Sequence, residues 1–123
     1  MAKITLPAET ITAKHRSVPD PTFEGPKDKA PQIPAGGSTT GRGIAIDWQD
    51  GPLVFEGKRV QPNGAFVEDV ILAAKDRLEH YQTTKFACQA NERAIDHLRL
   101  ALAELEARTI VRQKRGVEGT HIP

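Results

Sequence analysis

The sequence predicts an α+β protein: a short antiparallel β-ribbon followed by a long antiparallel αα-hairpin, assembled as a symmetric homo-oligomer. Three observations predict it. Between 91 and 115, Ile95, Leu98, Leu102 and Leu105 recur at alternating steps of three and four, and Thr109 and Arg112 continue the stripe in polar form. That is the period of an amphipathic helix, apolar where it enters and basic where it leaves. Upstream, Phe66, Val67, Val70, Ile71, Ala74, Leu78 and Tyr81 mark a second helix, and only the short stretch 82–87 separates the two patterns. So short a connection makes the helices antiparallel neighbours. Before them, residues 43–60 alternate like short strands.

The oligomer follows from size. A chain of 123 residues is one domain at most, and its polar lead-in leaves fewer than about 80 residues to make a core. Two helices bury only one seam, so a second copy is expected to cover the remaining apolar surface. A net charge of +1 with 27% charged residues gives no general case for a nucleic acid polymer or a membrane surface. Anion binding must come from local clustering. Cys88 is the single cysteine, which excludes an intramolecular disulfide and a cysteine-built zinc site and suits a reducing compartment. No apolar run approaches the roughly 20 residues that span a bilayer, and the N-terminus lacks a signal-peptide core, so a soluble intracellular protein is expected.

In chain order, Ile4 and Leu6 alternate as an edge strand would. From Val18 the composition changes: Pro19, Pro21, Pro26, Pro31 and Pro34 lead into Ala-Gly-Gly-Ser-Thr-Thr-Gly at 35–41. Proline removes backbone donors and glycine adds unfolded-state entropy, so 17–42 is expected as an extended or disordered arm, either a plain linker or a segment that wraps a neighbouring subunit. Ile44, Ile46 and Trp48 then share one face, Asp50-Gly51-Pro52 supplies a turn before Leu53, Val54 and Phe55, and Glu56-Gly57 leads to Lys58, Arg59 and Val60. These read as a ribbon of two or three short strands. Asn63 is placed to cap the first helix, with Glu68 and Asp69 near its positive end. The organisation expected is an arm over 1–42, a ribbon over 43–62 and the hairpin over 63–123.

Several separated motifs in the right order carry a resemblance. They are Asn-Gly-Ala-Phe-Val-Glu-Asp-Val-Ile at 63–71, Arg-Leu-Glu-His-Tyr-Gln at 77–82, Lys-Phe-Ala-Cys at 85–88, Asn91, Ala94, Ile95, and Arg-Gln-Lys-Arg-Gly-Val-Glu-Gly-Thr-His at 112–121. Over about half the chain, from roughly Trp48 to His121, the sequence resembles the hairpin domain of the phage anti-Thoeris and anti-CBASS signal sponges. Trp-Gln-Asp-Gly-Pro at 48–52 looks more like the anti-Thoeris branch, whose members carry a strand-rich N-terminal part.

The resemblance implies a non-enzymatic protein acting in the cytoplasm of an infected bacterium, which binds a cyclic nucleotide immune messenger and holds it unmodified. For the anti-Thoeris branch the ligand is a cyclic ADP-ribose isomer or its glycocyclic form; for the anti-CBASS branch it is a cyclic di- or trinucleotide. Family members form dimers that assemble further into hexamers, with pockets shared between protomers. Carried over residue by residue, the family pocket falls on Tyr81, Asn91, Arg108 and Arg112.

The residues fit that chemistry on their own terms. A cyclic ADP-ribose offers an adenine face, a pyrophosphate and ribose hydroxyls. Tyr81 supplies an aromatic face, and base stacking on such rings is worth ~1–3 kcal/mol in single-strand sites. Arg108, Arg112 and Arg115 stand at i, i+4 and i+7, three guanidinium forks along one helix face. Asn91, beside the connecting loop, carries an amide able to read a ribose or a base edge. From Asn91 to Arg108 is roughly 25 Å along one helix. One small ligand cannot touch both on the same chain, so the pocket itself requires an antiparallel second copy.

Plainer readings stand beside these. Tyr81 can be a core residue, the arginines can serve the helix dipole and pair with Glu104, Asn91 can be a helix-start residue, and Gly116 can cap the second helix ahead of a frayed tail, whereas the resemblance makes that tail part of the oligomer contacts. Cys88, close to the apolar stripe, reads as a small buried hydrophobe. His80, His97 and His121 have no metal-ligand spacing, so neither a metal nor a cofactor is expected. No base, nucleophile and carboxylate constellation argues for an enzyme. A helical oligomerisation protein without a small ligand is the remaining alternative.

Overall fold

The computed structural model describes residues 10–122; the strand expected around Ile4 and Leu6 lies outside them. The fold is α+β, with small antiparallel sheets and a two-helix hairpin. Two compact units are present. One holds the described residues through Ala65 together with Gly119–His121, and the other holds Phe66–Glu118 together with Ile122.

The first unit is organised by a three-stranded sheet in the order β1 (Thr12–Pro19), β2 (Gln32–Gly41) and β3 (Ile44–Asp47). This corrects the expectation of an arm without regular structure over 17–42, because that stretch supplies the end of β1 and all of β2. The prolines are tolerated for a geometric reason. Pro19 ends β1, and Pro34 lies where β2 is paired with β1 alone, since β3 reaches only from Ser38 to Gly41. Proline is admissible in such one-sided positions. Pro21 and Pro26 fall in the connection, where Asp20 Oδ1 accepts from the Thr22 N–H (2.9 Å) and hydroxyl (2.7 Å). Those two hydrogen bonds hold the Asp20 carboxyl below its ordinary pKa.

The glycines that suggested flexibility build a bulge. The β1–β2 register runs through His15↔Gly37 and resumes at Ser17↔Pro34, leaving one extra residue on β2. Gly36 (φ 87°) and Gly37 (φ 116°) take the left-handed conformations that the bulge needs. The bend lets Ala35 bridge Asp50 and lets the Gly37 carbonyl accept the Trp48 N–H at 3.0 Å. The Trp48 indole N–H in turn donates to Thr39 Oγ1 at 2.8 Å, satisfying a buried hydroxyl.

Within 43–62 the expected short strands are present and the Glu56-Gly57 turn joins the last two as expected, but they do not make one ribbon. β3 pairs back onto β2, and β4 (Val54–Phe55) and β5 (Lys58–Arg59) form a separate two-stranded hairpin. Glu56 (φ 51°) and Gly57 (φ 77°) are both left-handed, the requirement of a type I′ turn. The Gly119 carbonyl accepts the N–H groups of Leu53 and Val54 at 2.6 and 3.0 Å.

Asn63 is not the helix cap. Its Oδ1 accepts the Asp50 N–H, its Nδ2 donates to the Asp50 carbonyl, both at 2.8 Å, and its own N–H donates to Gln49 Oε1 at 2.9 Å. The cap is Phe66, whose N–H is taken by the Asp69 carboxylate at 2.8 Å. Asp69 thus supplies the reach-back half of a capping box, and phenylalanine has no acceptor for the other half. Asn63→Ala removes two side-chain bonds and is expected to destabilise this unit by about 1–2 kcal/mol. Urea unfolding followed by Trp48 fluorescence checks it; an unmoved midpoint would show that the clamp contributes nothing.

The second unit is the hairpin of α1 (Val67–Tyr81) and α2 (Gln89–Arg115), 15 and 27 residues long. Gln82 stitches the connection: its Oε1 accepts the Cys88 N–H (3.0 Å) and Asn91 Nδ2 (3.1 Å), and its Nε2 donates to the Cys88 carbonyl (3.1 Å). Cys88 is exposed, against expectation. It is the N-cap of α2, its Sγ accepting the Asn91 N–H at 3.5 Å. The helix start draws the residue out of the apolar seam, which centres on the buried Ile95. Along α1 Glu79 meets Lys75 at 2.6 Å, and across the seam it meets Arg99 of α2 at 3.8 Å; the Lys75 hydrogen bond holds the Glu79 carboxyl below its ordinary pKa.

Because α2 is the longer helix by some three turns, part of it runs past what α1 can cover. Ile110 and Val111, on that overhang, are correspondingly exposed. The helix ends at Gly116 (φ 73°), whose N–H reaches the Gln113 carbonyl while the Val117 N–H reaches the Arg112 carbonyl, both at 3.0 Å. That pair of bonds is a Schellman end, so the glycine cap that one reading of the sequence offered is present, while Val117 and Ile122 are tied to Arg112 where that reading had a frayed tail.

Candidate functional site

The last three turns of α2 carry an open groove of about 380 Å³ lined by Glu104, Ala107, Arg108, Val111, Arg112 and Arg115. These positions form one helical stripe, with steps of three, one, three, one and three. The groove therefore brings together Arg108, Arg112 and Arg115, as their spacing predicts. Ala107 and Val111 supply its apolar floor. The sequence reading missed Glu104, Ala107 and Val111 as lining residues, although the same stripe period contained them.

The three arginines are held differently. Arg108 and Arg115 are exposed. Arg112 is only 8% exposed, because the chain turns back at Gly116: Nη1 donates to the Ile122 carbonyl at 2.6 Å and Nη2 to the Val117 carbonyl at 2.9 Å. Among the described residues Arg108 makes no ion pair with Glu104, so the i, i+4 pairing considered from the sequence does not form. A carboxylate and three guanidinium groups thus face one concave surface. Such a surface suits a ligand that presents phosphates with hydroxyl or amino donors nearby.

Tyr81 and Asn91 lie at the other end of the hairpin. Tyr81 is the last residue of α1, half-buried, with the Arg77 guanidinium 5.1 Å from its ring centre. Asn91 Nδ2 donates to Gln82 Oε1 and to the Phe86 carbonyl at 3.2 Å. Asn91 is thus a helix-start residue, the third of α2, whose amide donors also order the connecting loop. The single helix from Gln89 to Arg115 keeps Asn91 and Arg108 roughly 25 Å apart, so one chain does not bring Tyr81 and Asn91 to the groove. Among the described residues no cluster of His, Cys, Asp and Glu is arranged to hold a metal ion, and no helix is long and apolar enough to cross a membrane.

A strand-rich unit, a two-helix hairpin and a cationic groove on its longer helix define the class: hairpin-domain proteins with a surface suited to an anionic ligand. The chain belongs to the Acb2/Tad1 hairpin-domain family, whose model matches residues 42–109. That match includes Tyr81, Asn91 and Arg108 and stops before Arg112 and Arg115. The chain is also similar to the protein named Thoeris anti-defense 1 from Bacillus phage SBSphiJ7, with 40% identity over 81 residues. The aligned region covers 66% of this chain and 54% of that protein, so the chain spans about half the length of the curated relative it matches.

Proposed function

We propose that this protein is a phage anti-defence sponge of the Thoeris kind, which captures a cyclic ADP-ribose isomer in the cytoplasm of an infected bacterium and holds it without cleaving it. The observation that carries the reading is the groove in which Arg108, Arg112 and Arg115 converge over an apolar floor. Family membership and the name of the phage relative supply the biological context. The arginines receive the pyrophosphate, and a second copy of the chain, running antiparallel, brings Tyr81 to stack on the base and Asn91 to read a ribose or base edge. The exposed Leu72, Leu100, Ile110 and Val111 supply apolar surface for that homodimer, which can assemble further into a hexamer. A dimer of this kind contains two equivalent pockets.

Capture is useful only if binding is tighter than the messenger's working concentration. For a micromolar messenger that means more than about 8 kcal/mol. Calorimetric titration with cyclic ADP-ribose isomers and with cyclic di- and trinucleotides, followed by recovery of the ligand after heating, tests this directly. Tight binding of a cyclic ADP-ribose isomer near one per chain, with the ligand returned intact, is expected. Preference for a cyclic oligonucleotide would move the protein to the anti-CBASS reading. Absence of binding would leave a helical oligomerisation protein, and a cleaved product would make it an enzyme.

A further inference from the structure

We propose that Val117 and Ile122, which follow α2, are positioning residues of the groove and set the Arg112 guanidinium for a phosphate through their backbone carbonyls. The inference rests on the reading of Arg112 as a ligand residue. Arginine side chains carry large rotamer entropy, and ordering one at the moment of binding subtracts from affinity. Here the ordering is done beforehand. Nη1 is held by the Ile122 carbonyl at 2.6 Å and Nη2 by the Val117 carbonyl at 2.9 Å, which fixes both the position and the plane of the fork. Val117 is itself buried, so its carbonyl is a fixed point and not a passing contact.

The return of the chain depends on Gly116. Its φ of 73° is left-handed, and the Schellman bonds at Gly116 and Val117 aim the next residues back along the helix. A Cβ at Gly116 would meet nothing within 4 Å. A β-branched replacement there therefore acts chiefly through the penalty on its left-handed backbone conformation. Among the described residues Arg108, one turn earlier in the groove, is exposed and has no such carbonyl holder. The two arginines are accordingly expected to respond differently to loss of the tail.

The test is calorimetric titration of cyclic ADP-ribose isomers into the full-length protein, Arg112→Ala, Gly116→Val, their double variant, and Arg108→Ala with and without Gly116→Val. A chain ended at Thr120, which lacks the Ile122 carbonyl but keeps the Gly119 acceptor, accompanies them in case Gly116→Val does not fold. We expect Gly116→Val and the shortened chain to bind about tenfold more weakly. In the Arg112→Ala background Gly116→Val should have no further effect, whereas its effect should multiply with that of Arg108→Ala. A tail that merely stabilises the fold would weaken all backgrounds alike, and that result overturns the proposal. So does unchanged binding in both tail variants while Arg112→Ala loses it. If Arg112→Ala binds like the parent protein, or no isomer binds the parent, the ligand reading itself fails and takes this inference with it.

Discussion

Arg112→Ala is expected to weaken ligand capture by about a hundredfold, the largest effect of any single substitution in the groove. A hydrogen bond to a charged group contributes about 1.5–3 kcal/mol, and a guanidinium facing a phosphate makes up to two of them. The same change leaves the carbonyls of Val117 and Ile122 without the donors they have now, so a destabilisation of about 1–3 kcal/mol of the helix end accompanies it. The two effects separate in Arg112→Lys. A lysine keeps the charge but offers a point donor where the fork spans the carbonyls of Val117 and Ile122 and, in the proposed complex, a phosphate edge. We expect Arg112→Lys to recover part of the thermal stability and little of the affinity, read by calorimetry and by thermal unfolding on the same samples. Full recovery of affinity by lysine would show that charge alone is recognised at this position.

Gly37→Ala is expected to destabilise the sheet unit by about 3 kcal/mol or more, enough to unfold so small a structure. Two independent reasons converge on this residue. Its φ of 116° is a conformation that residues with a Cβ rarely adopt. A Cβ there would also run into the Lys14 carbonyl, with the His15 Cα at 2.9 Å and the Arg16 N at 3.0 Å. Those atoms belong to the neighbouring strand's backbone and cannot rotate away. The change would open the bulge that directs the Gly37 carbonyl to Trp48 and Ala35 to Asp50. Denaturant unfolding followed by the fluorescence of Trp48, the single tryptophan, reports on this unit. A midpoint within a few tenths of a molar of the parent's would refute the argument. Gly43→Ala provides the contrast, since nothing lies within 4 Å of a Cβ there and only its positive φ of 71° is penalised.

The helical half of this protein was legible in its residue periodicity. The apolar stripes at period 3.6 located both helices, the short connection made them antiparallel, and Arg108, Arg112 and Arg115 at i, i+4 and i+7 do share a face. Such features depend on residues within one or two turns of each other, and local spacing states them fully. The short strands over 44–59 were legible in alternation and turn residues, but the sheet that β1 and β2 build was not. Pro34, Gly36 and Gly37 oppose regular structure by local propensity, yet they sit in β2 because a neighbouring strand pairs on one side and a bulge requires left-handed residues.

Long-range hydrogen bonding decided the remaining roles. Asn63 has the sequence position of a cap but is taken by Asp50, thirteen residues away, and Cys88 lies next to an apolar stripe but caps the helix in solvent. Arg112 continues the stripe by its spacing and becomes a buried side chain because the tail folds back over it at Gly116. The sequence places residues on faces; which groups meet across the turn of the chain depends on the path the backbone takes between them.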